Sequence, residues 1–409
     1  PFIHIKTNEI FETLRGKMET GYFENLIRTY LLDNPHKSIV VMKPKKGLQK
    51  EKDQQEADKL KTYKDSLSKE EIDELVEETK RLKEIQETPS TKEELEKIPV
   101  LDIEDIRKEI KPLSSKEEEA GGVKVLWHPY FTNQICYLKL AFDMSYVPME
   151  LAPYASLLTE VLMGVDTEQR DYQELGNEIS IETGAIAASM DVLPRGKEDF
   201  LPMFTVKTKC FYPKTEKAFE LMEEIVFESK LDDKKRLKEI MGQIYTNLKM
   251  MLTESGHKTA ASRAMSYFSG YAQYKEVIQG ISMFESVKNW YENFDEEYEN
   301  IVNGLEQARQ AIFQKQNMIV SYTGKEKEPE FLTESLSHFA GRLYPDQERG
   351  AGIAVACSRR NEGFATAGGV CYVACAGNFM DQGFEYTGAL KVLQMIFSYE
   401  YLWIQLRVK

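Results

Sequence analysis

QKEKDQQEADKLKTYKDSLSKEEIDELVEETKRLKEIQET, residues 49–88, decides how the rest of the chain is read. Its second half places Ile72, Leu75, Val76, Leu82 and Ile85 at a helical rather than a strand period, with charge on the other faces. Ser68 followed three residues later by Glu71 forms a capping box, in which each satisfies an orphan amide, so a helix is predicted to begin near Lys69. The residues before it, 50–64, contain almost no Gly, Pro or β-branched type and are also helix-prone, with Ala57, Leu60 and Tyr63 as their only apolar members. Two charged helices around Asp65, Ser66 and Leu67 make a hairpin between two α/β-patterned stretches. On pattern alone it is either a solvated linker or a helical clamp between domains.

The 409 residues suffice for two or three domains, each with its own core. With 42% hydrophobic and 29% charged residues, the composition is that of a soluble globular protein. Lys and Arg total 53 against 67 Asp and Glu, and the net charge of −14 argues against nucleic acid or an anionic membrane as the main partner. No apolar run approaches the ~18 residues needed to cross a bilayer. The opening PFIHIKTNEIF has no cationic or apolar signal-peptide region, and its start at Pro1 points to a piece of something longer. Five scattered cysteines fit a reducing, cytoplasmic setting better than a disulfide framework.

Residues 1–44 read as the tail of a domain: helical patterns at 10–18 and 22–32, then a β-branched strand at 37–42. An irregular acidic connector, 89–119, carries Pro99 and Pro112 as breakers, and its cluster Glu117, Glu118, Glu119 reads as a solvated face. From Gly121 strands are predicted at 123–127, 135–143, 185–192, 204–211 and 316–324. Helices are predicted at 153–163 and 172–181, in a long tract from 215 to 313, and at 329–339. This order describes an α+β roll, with helices packed on a mainly antiparallel sheet. Near Ala351 the series restarts, with strands expected at 363–370 and 371–376 and a helix at 386–406, a weak hint of duplicated units.

Catalytic chemistry is hard to place. A zinc hydrolase needs two ligands on one helix face with a carboxylate base, as in H-E-x-x-H or H-x-x-E-H, and neither occurs. The histidines, His4, His36, His128, His257 and His338, are too far apart in sequence to share a helical turn. Cys371 and Cys375 would share one strand face, where small buried hydrophobes are the simpler reading than thiol ligands. There is no G-x-S-x-G elbow, P-loop or G-x-G-x-x-G after a strand. The residues alone describe a soluble multi-domain segment with no catalytic residue and no metal site of its own.

Four features together resemble one family: the charged hairpin, ESGHKTAASRAMSYFSGYAQYKEVIQGISMFESV at 254–287, the strand motif QNMIVSYTG at 316–324, and the terminal SYEYLWIQLRVK. Their order and spacing are similar to the presequence-protease and falcilysin branch of the inverted-zincin, insulinase-like metallopeptidases. The resemblance implies four related α/β rolls, two per half, with a helical hairpin joining halves that close around an unstructured peptide. Residues 1–44 would then end the second roll, 45–119 form the hairpin and connector, 120–345 the third roll, and 346–409 the start of the fourth. Zinc would belong to an N-terminal catalytic half with H-x-x-E-H, so this chain would take no cofactor and would be inactive alone. Arg407 falls where the family has an arginine that reaches across the chamber to the substrate. Without the resemblance it reads as a helix-end arginine facing the dipole or a carboxylate. An acidic wall would favour basic peptides through long-range steering, but net charge alone does not locate the wall. Self-association into a homodimer through surface left uncovered is also expected. The competing readings are a non-catalytic assembly subunit of the same fold and a peptide-binding scaffold.

Overall fold

A computed structural model describes residues 2 and 6–408, apart from 197, 198, 351, 367 and 368. His4, Ala351, Lys409 and part of the strand expected at 363–370 therefore lie outside the described residues. The chain divides into two compact units, Pro1–Lys108 and Glu109–Lys409.

The first unit contains α1 (Thr7–Lys17), α2 (Tyr22–Ile27) leading into a π-helical turn at Arg28–Leu32, α3 (Leu48–Ser66), α4 (Lys69–Glu87) and the short α5 (Lys92–Leu95). The capping box forms as predicted: Glu71 N donates to Ser68 Oγ at 3.2 Å and Ser68 N donates to the Glu71 carboxylate at 2.8 Å. The break falls at Leu67, whose extended backbone ends α3. Neither long helix buries a residue, and Leu60, Tyr63, Leu82 and Ile85 are all exposed. The strand expected at 37–42 is not formed. A strand is held by a neighbour's amides and carbonyls; no described residue pairs with this segment, and Ile39 is 93% exposed.

The second unit is built on a sheet of β1 (Lys116–Ala120), β2 (Val123–His128), β3 (Ile135–Asp143), β4 (Ala185–Arg195), β5 (Asp199–Phe211) and β6 (Met318–Thr323), in spatial order β1-β2-β6-β3-β5-β4. Every pairing is antiparallel except β2 with β6. Between and after the strands run α6 (Ala152–Val161), α7 (Tyr172–Glu182), α8 (Thr215–Glu228), α9 (Lys234–Glu254), α10 (Gly256–Met265), α11 (Gly270–Gln279), α12 (Ile281–Glu292), α13 (Phe294–Ile312), α14 (Thr333–Arg342) and α15 (Ala389–Ile396). This is the mixed fold expected, helices on a mainly antiparallel sheet. One face of the sheet is apolar and covered: Cys136, Leu138, Leu140 and Phe142 of β3 are buried with Val206 of β5, Val320 of β6 and Phe313 after α13. The other face alternates with it, as the pleat requires.

Three expectations need correction. The connector expected to be irregular through 119 ends in a strand, β1 at the sheet's edge, which takes in Glu117, Glu118 and Glu119; Glu117 and Glu119 are exposed, as a solvated face requires. The strands expected at 363–370 and 371–376 are absent among the described residues, because no described strand lies beside them to complete a ladder. For the same reason Cys371 and Cys375 have no buried face and are exposed; the buried thiols are Cys136 and Cys210, cross-strand partners on β3 and β5.

The turn before β3 is strained and stapled. Asn133 and Gln134 both have left-handed backbones, at φ 53° and 67°, which cost roughly 1–2 kcal/mol each in a non-glycine residue. Glu326, beyond β6, accepts from Thr132 N at 3.0 Å, Gln134 N at 3.4 Å and the Tyr212 hydroxyl at 3.0 Å. Desolvation pushes its carboxyl up, but the backbone amides of Glu326, Thr132 and Lys325 together prevail and hold it down to about 2, below its ordinary 4.5. A depressed carboxylate contributes stability that is complete above pH 4.5 and is lost as pH falls toward 2. E326Q should therefore melt at a lower temperature than the parent near neutral pH, with the gap closing as pH falls below 4.5. Thermal melts across that range check this; a gap independent of pH would remove the staple.

Candidate functional site

The outward face of the sheet holds the best-formed candidate. Strand register sets its side chains in two rows. One runs Ala185, Lys209, Tyr137, Thr323, His128, and the next runs Ala187, Lys207, Lys139, Ser321, Leu126. Neighbours in a row stand on strands about 4.8 Å apart. Over these rows lies an open cavity of about 560 Å³. Ala185 and Ala187 give it a shallow floor on β4, and Tyr130 and Tyr137 give it aromatic sides. The Tyr130 hydroxyl accepts from Ser114 N at 2.7 Å, tying the segment before β1 to the rim and bringing Leu113 into the lining. Gly184 lets the Lys209 side chain lie across it: a Cβ there would stand 2.7 Å from Lys209 Cε, and the lysine would have to move.

The charge on this face is distinctive. Lys139 and Lys207 are direct cross-strand partners, an arrangement that is unfavourable for like charges. Lys209 follows two residues along β5 on the same side. None of the three forms an ion pair with a described carboxylate, whereas Lys124 at the sheet's edge lies 2.8 Å from Glu117. This face presents lysines rather than acids. Chemically it offers ammonium and hydroxyl donors, aromatic surface and no nucleophile paired with a base, an arrangement suited to holding a ligand.

A second cluster explains much of the 254–287 motif. Arg263 on α10 lies 2.9 Å from Glu276 on α11 and 2.8 Å from Glu362 in the segment before α15. Glu276 is buried and also accepts from Ser282 N at 3.0 Å, and a Cβ at Gly280 would collide with its carboxylate. The Arg263 guanidinium beside Glu362, with the Tyr267 hydroxyl, holds that carboxyl down to about 2. Arg263 also donates to Ser282 Oγ on α12 at 3.1 Å, so one arginine joins three helices and the C-terminal segment.

Among the described residues no group of three or more His, Cys, Asp and Glu is placed to hold a metal ion. His338 sits 2.8 Å from buried Glu223, and His128 lies at the sheet cavity. Arg407 lies in a π-helical turn, Ile404–Val408; it is exposed, does not line the sheet cavity, and has no ion pair with a described residue. Lys139, Lys207 and Lys209 were not legible as a site, although V-K-T-K-C shows the alternation that turns two of them outward.

Residues 42–289 match the family model for the region associated with peptidase M16, subfamily C. Protein HypA of Clostridium perfringens is 34% identical over 411 residues, covering 100% of this chain and 42% of that protein. Presequence protease 1, chloroplastic/mitochondrial, of Arabidopsis thaliana is 29% identical over 418 residues, covering 100% of this chain and 38% of that protein. The chain thus spans about two fifths of the length of these relatives. A solved peptidase M16 inactive domain from Pseudomonas fluorescens aligns over 59% of this chain and 53% of its own, at 15% identity and a TM-score of 0.40. A match that loose carries no weight for fold or function.

Because Arg407 is exposed and has no ion pair with a described residue, Arg407→Ala should change stability by less than about 0.5 kcal/mol. Urea unfolding checks this; a larger loss would make the arginine structural.

Proposed function

The chain belongs to the family associated with peptidase M16, subfamily C, and from that premise we propose that it is the non-catalytic C-terminal part of a longer zinc-dependent peptidase that encloses and degrades unstructured peptides. Its partners in this reading are an N-terminal catalytic half of the same protein and the peptide itself. The observation that carries the reading is the family match, which runs unbroken from the end of the first unit's extended segment through the hairpin and most of the sheet domain. Zinc in the other half would activate the attacking water, and this chain would supply surface.

The physical division of labour is reasonable. A peptidase that spares folded proteins can do so by enclosing its substrate, which takes a second wall and a joint that opens. Contacts remote from the scissile bond then lower the barrier only through positioning, so a wall needs donors and aromatic surface rather than a nucleophile. The sheet face has those groups. Helices α3 and α4, meeting at Leu67, are suited to act as the joint. Two apolar stretches, 39–42 and 392–403, are largely exposed, which favours burial against the rest of a longer protein or, failing that, against a second copy of the chain. The three exposed and two buried cysteines, all free, favour a reducing compartment such as the cytoplasm.

The test uses an internally quenched unstructured peptide, the purified chain and the separately produced N-terminal half of the longer protein. The chain alone should bind no stoichiometric zinc and give no turnover, and mixing the halves should give turnover that a chelator abolishes. Chelator-sensitive cleavage by the chain alone would overturn the proposal, as would an N-terminal half whose activity is unaffected by this chain.

A further inference from the structure

We propose that Lys139, Lys207 and Lys209 form a subsite for an acidic stretch of an extended peptide, one that carries carboxylates at alternate positions. This rests on reading the chain as a peptide-holding wall, and it commits that wall to a substrate class that the net charge of −14 would not have chosen.

The first support is where these lysines stand. Some lysines of the second unit pair with described acids, as Lys124 does with Glu117, Lys214 with Glu182 and Lys234 with Asp295, and others do not; Lys139, Lys207 and Lys209 are unpaired among the described residues and line one cavity together. In a chain with 67 acidic residues, three lysines without a described partner on one patch do not reflect a shortage of carboxylates. The Lys139–Lys207 pair also carries a cross-strand repulsion that a bound anion would relieve.

Geometry narrows the anion. Residues two apart on a strand stand about 6.6–6.8 Å apart on one face, so Lys207 and Lys209 match carboxylates at positions i and i+2 of an extended peptide. Lys139, opposite Lys207, can share the first of these. β3 and β5 are paired on both sides, so their ladder amides are committed and recognition here must run through side chains rather than strand addition. Tyr137 and the alanine floor then give backbone and apolar side chains a surface to lie on.

The experiment measures fluorescence anisotropy of the whole chain with three labelled, unstructured peptides that differ only at alternate positions, carrying Glu, Gln or Lys there. The Glu peptide should bind about 10-fold more tightly than the Gln peptide, and the advantage should shrink as salt rises toward about 0.5 M. Replacing the three lysines together (K139Q, K207Q, K209Q) should abolish the advantage of the Glu peptide over the Gln peptide, with an unchanged circular dichroism spectrum. K139E with K207E should reverse the preference toward the Lys peptide. If the parent chain binds Glu and Gln peptides alike, the acidic subsite is wrong and the peptide-holding wall survives. Preference for the Lys peptide would also refute it. If none of the three binds, the wall reading fails as well.

Discussion

The second unit depends on the pleat of β3. It is paired on both sides, with β5 and β6, so its register assigns every residue of three central strands to one face or the other. Cys136, Leu138, Leu140 and Phe142 go to the helices, where each large apolar side chain is worth about 1.5–3 kcal/mol on burial. Tyr137 and Lys139 go to the cavity. A slip of one residue would exchange the two sets, burying ammonium groups and exposing the core, so the burial that stabilises the domain also sets the lysines side by side. The core and the candidate site are consequences of one alternation.

The ends of the sheet domain are secured differently, by polar groups that are individually costly to bury. Glu326 gathers amides from a turn with two left-handed residues. Arg263 gathers carboxylates from α11 and from the segment that precedes α15. Buried Glu276 would be strongly destabilising without that arginine, because an uncompensated charge in the interior costs more than the pair contributes. Such contacts are therefore better understood as fixing which segments lie together than as a large net source of stability.

Much of this was legible in residue order, and what was not has a common cause. The α4 start at Lys69 was readable because a capping box is local, as was β3, which alternates cleanly enough to be placed at its observed bounds. β1 was missed because a run of three glutamates looks solvated, and only the neighbouring β2 makes it a strand. The strands expected at 37–42 and 363–376 failed in the opposite sense: good local propensity, but no described neighbour. The lysine patch was half visible. Lys207 and Lys209 share a face by spacing alone, but that Lys139 stands opposite depends on register with a strand that precedes them by some seventy residues. Arg407, named through family resemblance, is placed on the surface by the structure, with no ion pair among the described residues to assign it a role.

Whether net charge or local charge governs the sheet face is decided by distance. The three lysines lie within about 8 Å of one another along and across the strands, about one Debye length of physiological salt, so a ligand seated among them feels all three. The acids on the same face stand farther off: Asp143 and Asp191 are four residues along their strands from Lys139 and Ala187, about 13 Å away, Glu117 is three strands across from Lys139, about 14 Å away and paired with Lys124, and Glu119 and Asp199 are more distant. Beyond one screening length their opposing field is weak, and that of acids elsewhere on the chain is weaker still. The total of −14 therefore governs approach from afar at low salt, whereas contact on this face is governed by three ammonium groups. A ligand selected by both would be one whose carboxylates are few, closely spaced and carried on an otherwise uncharged extended chain.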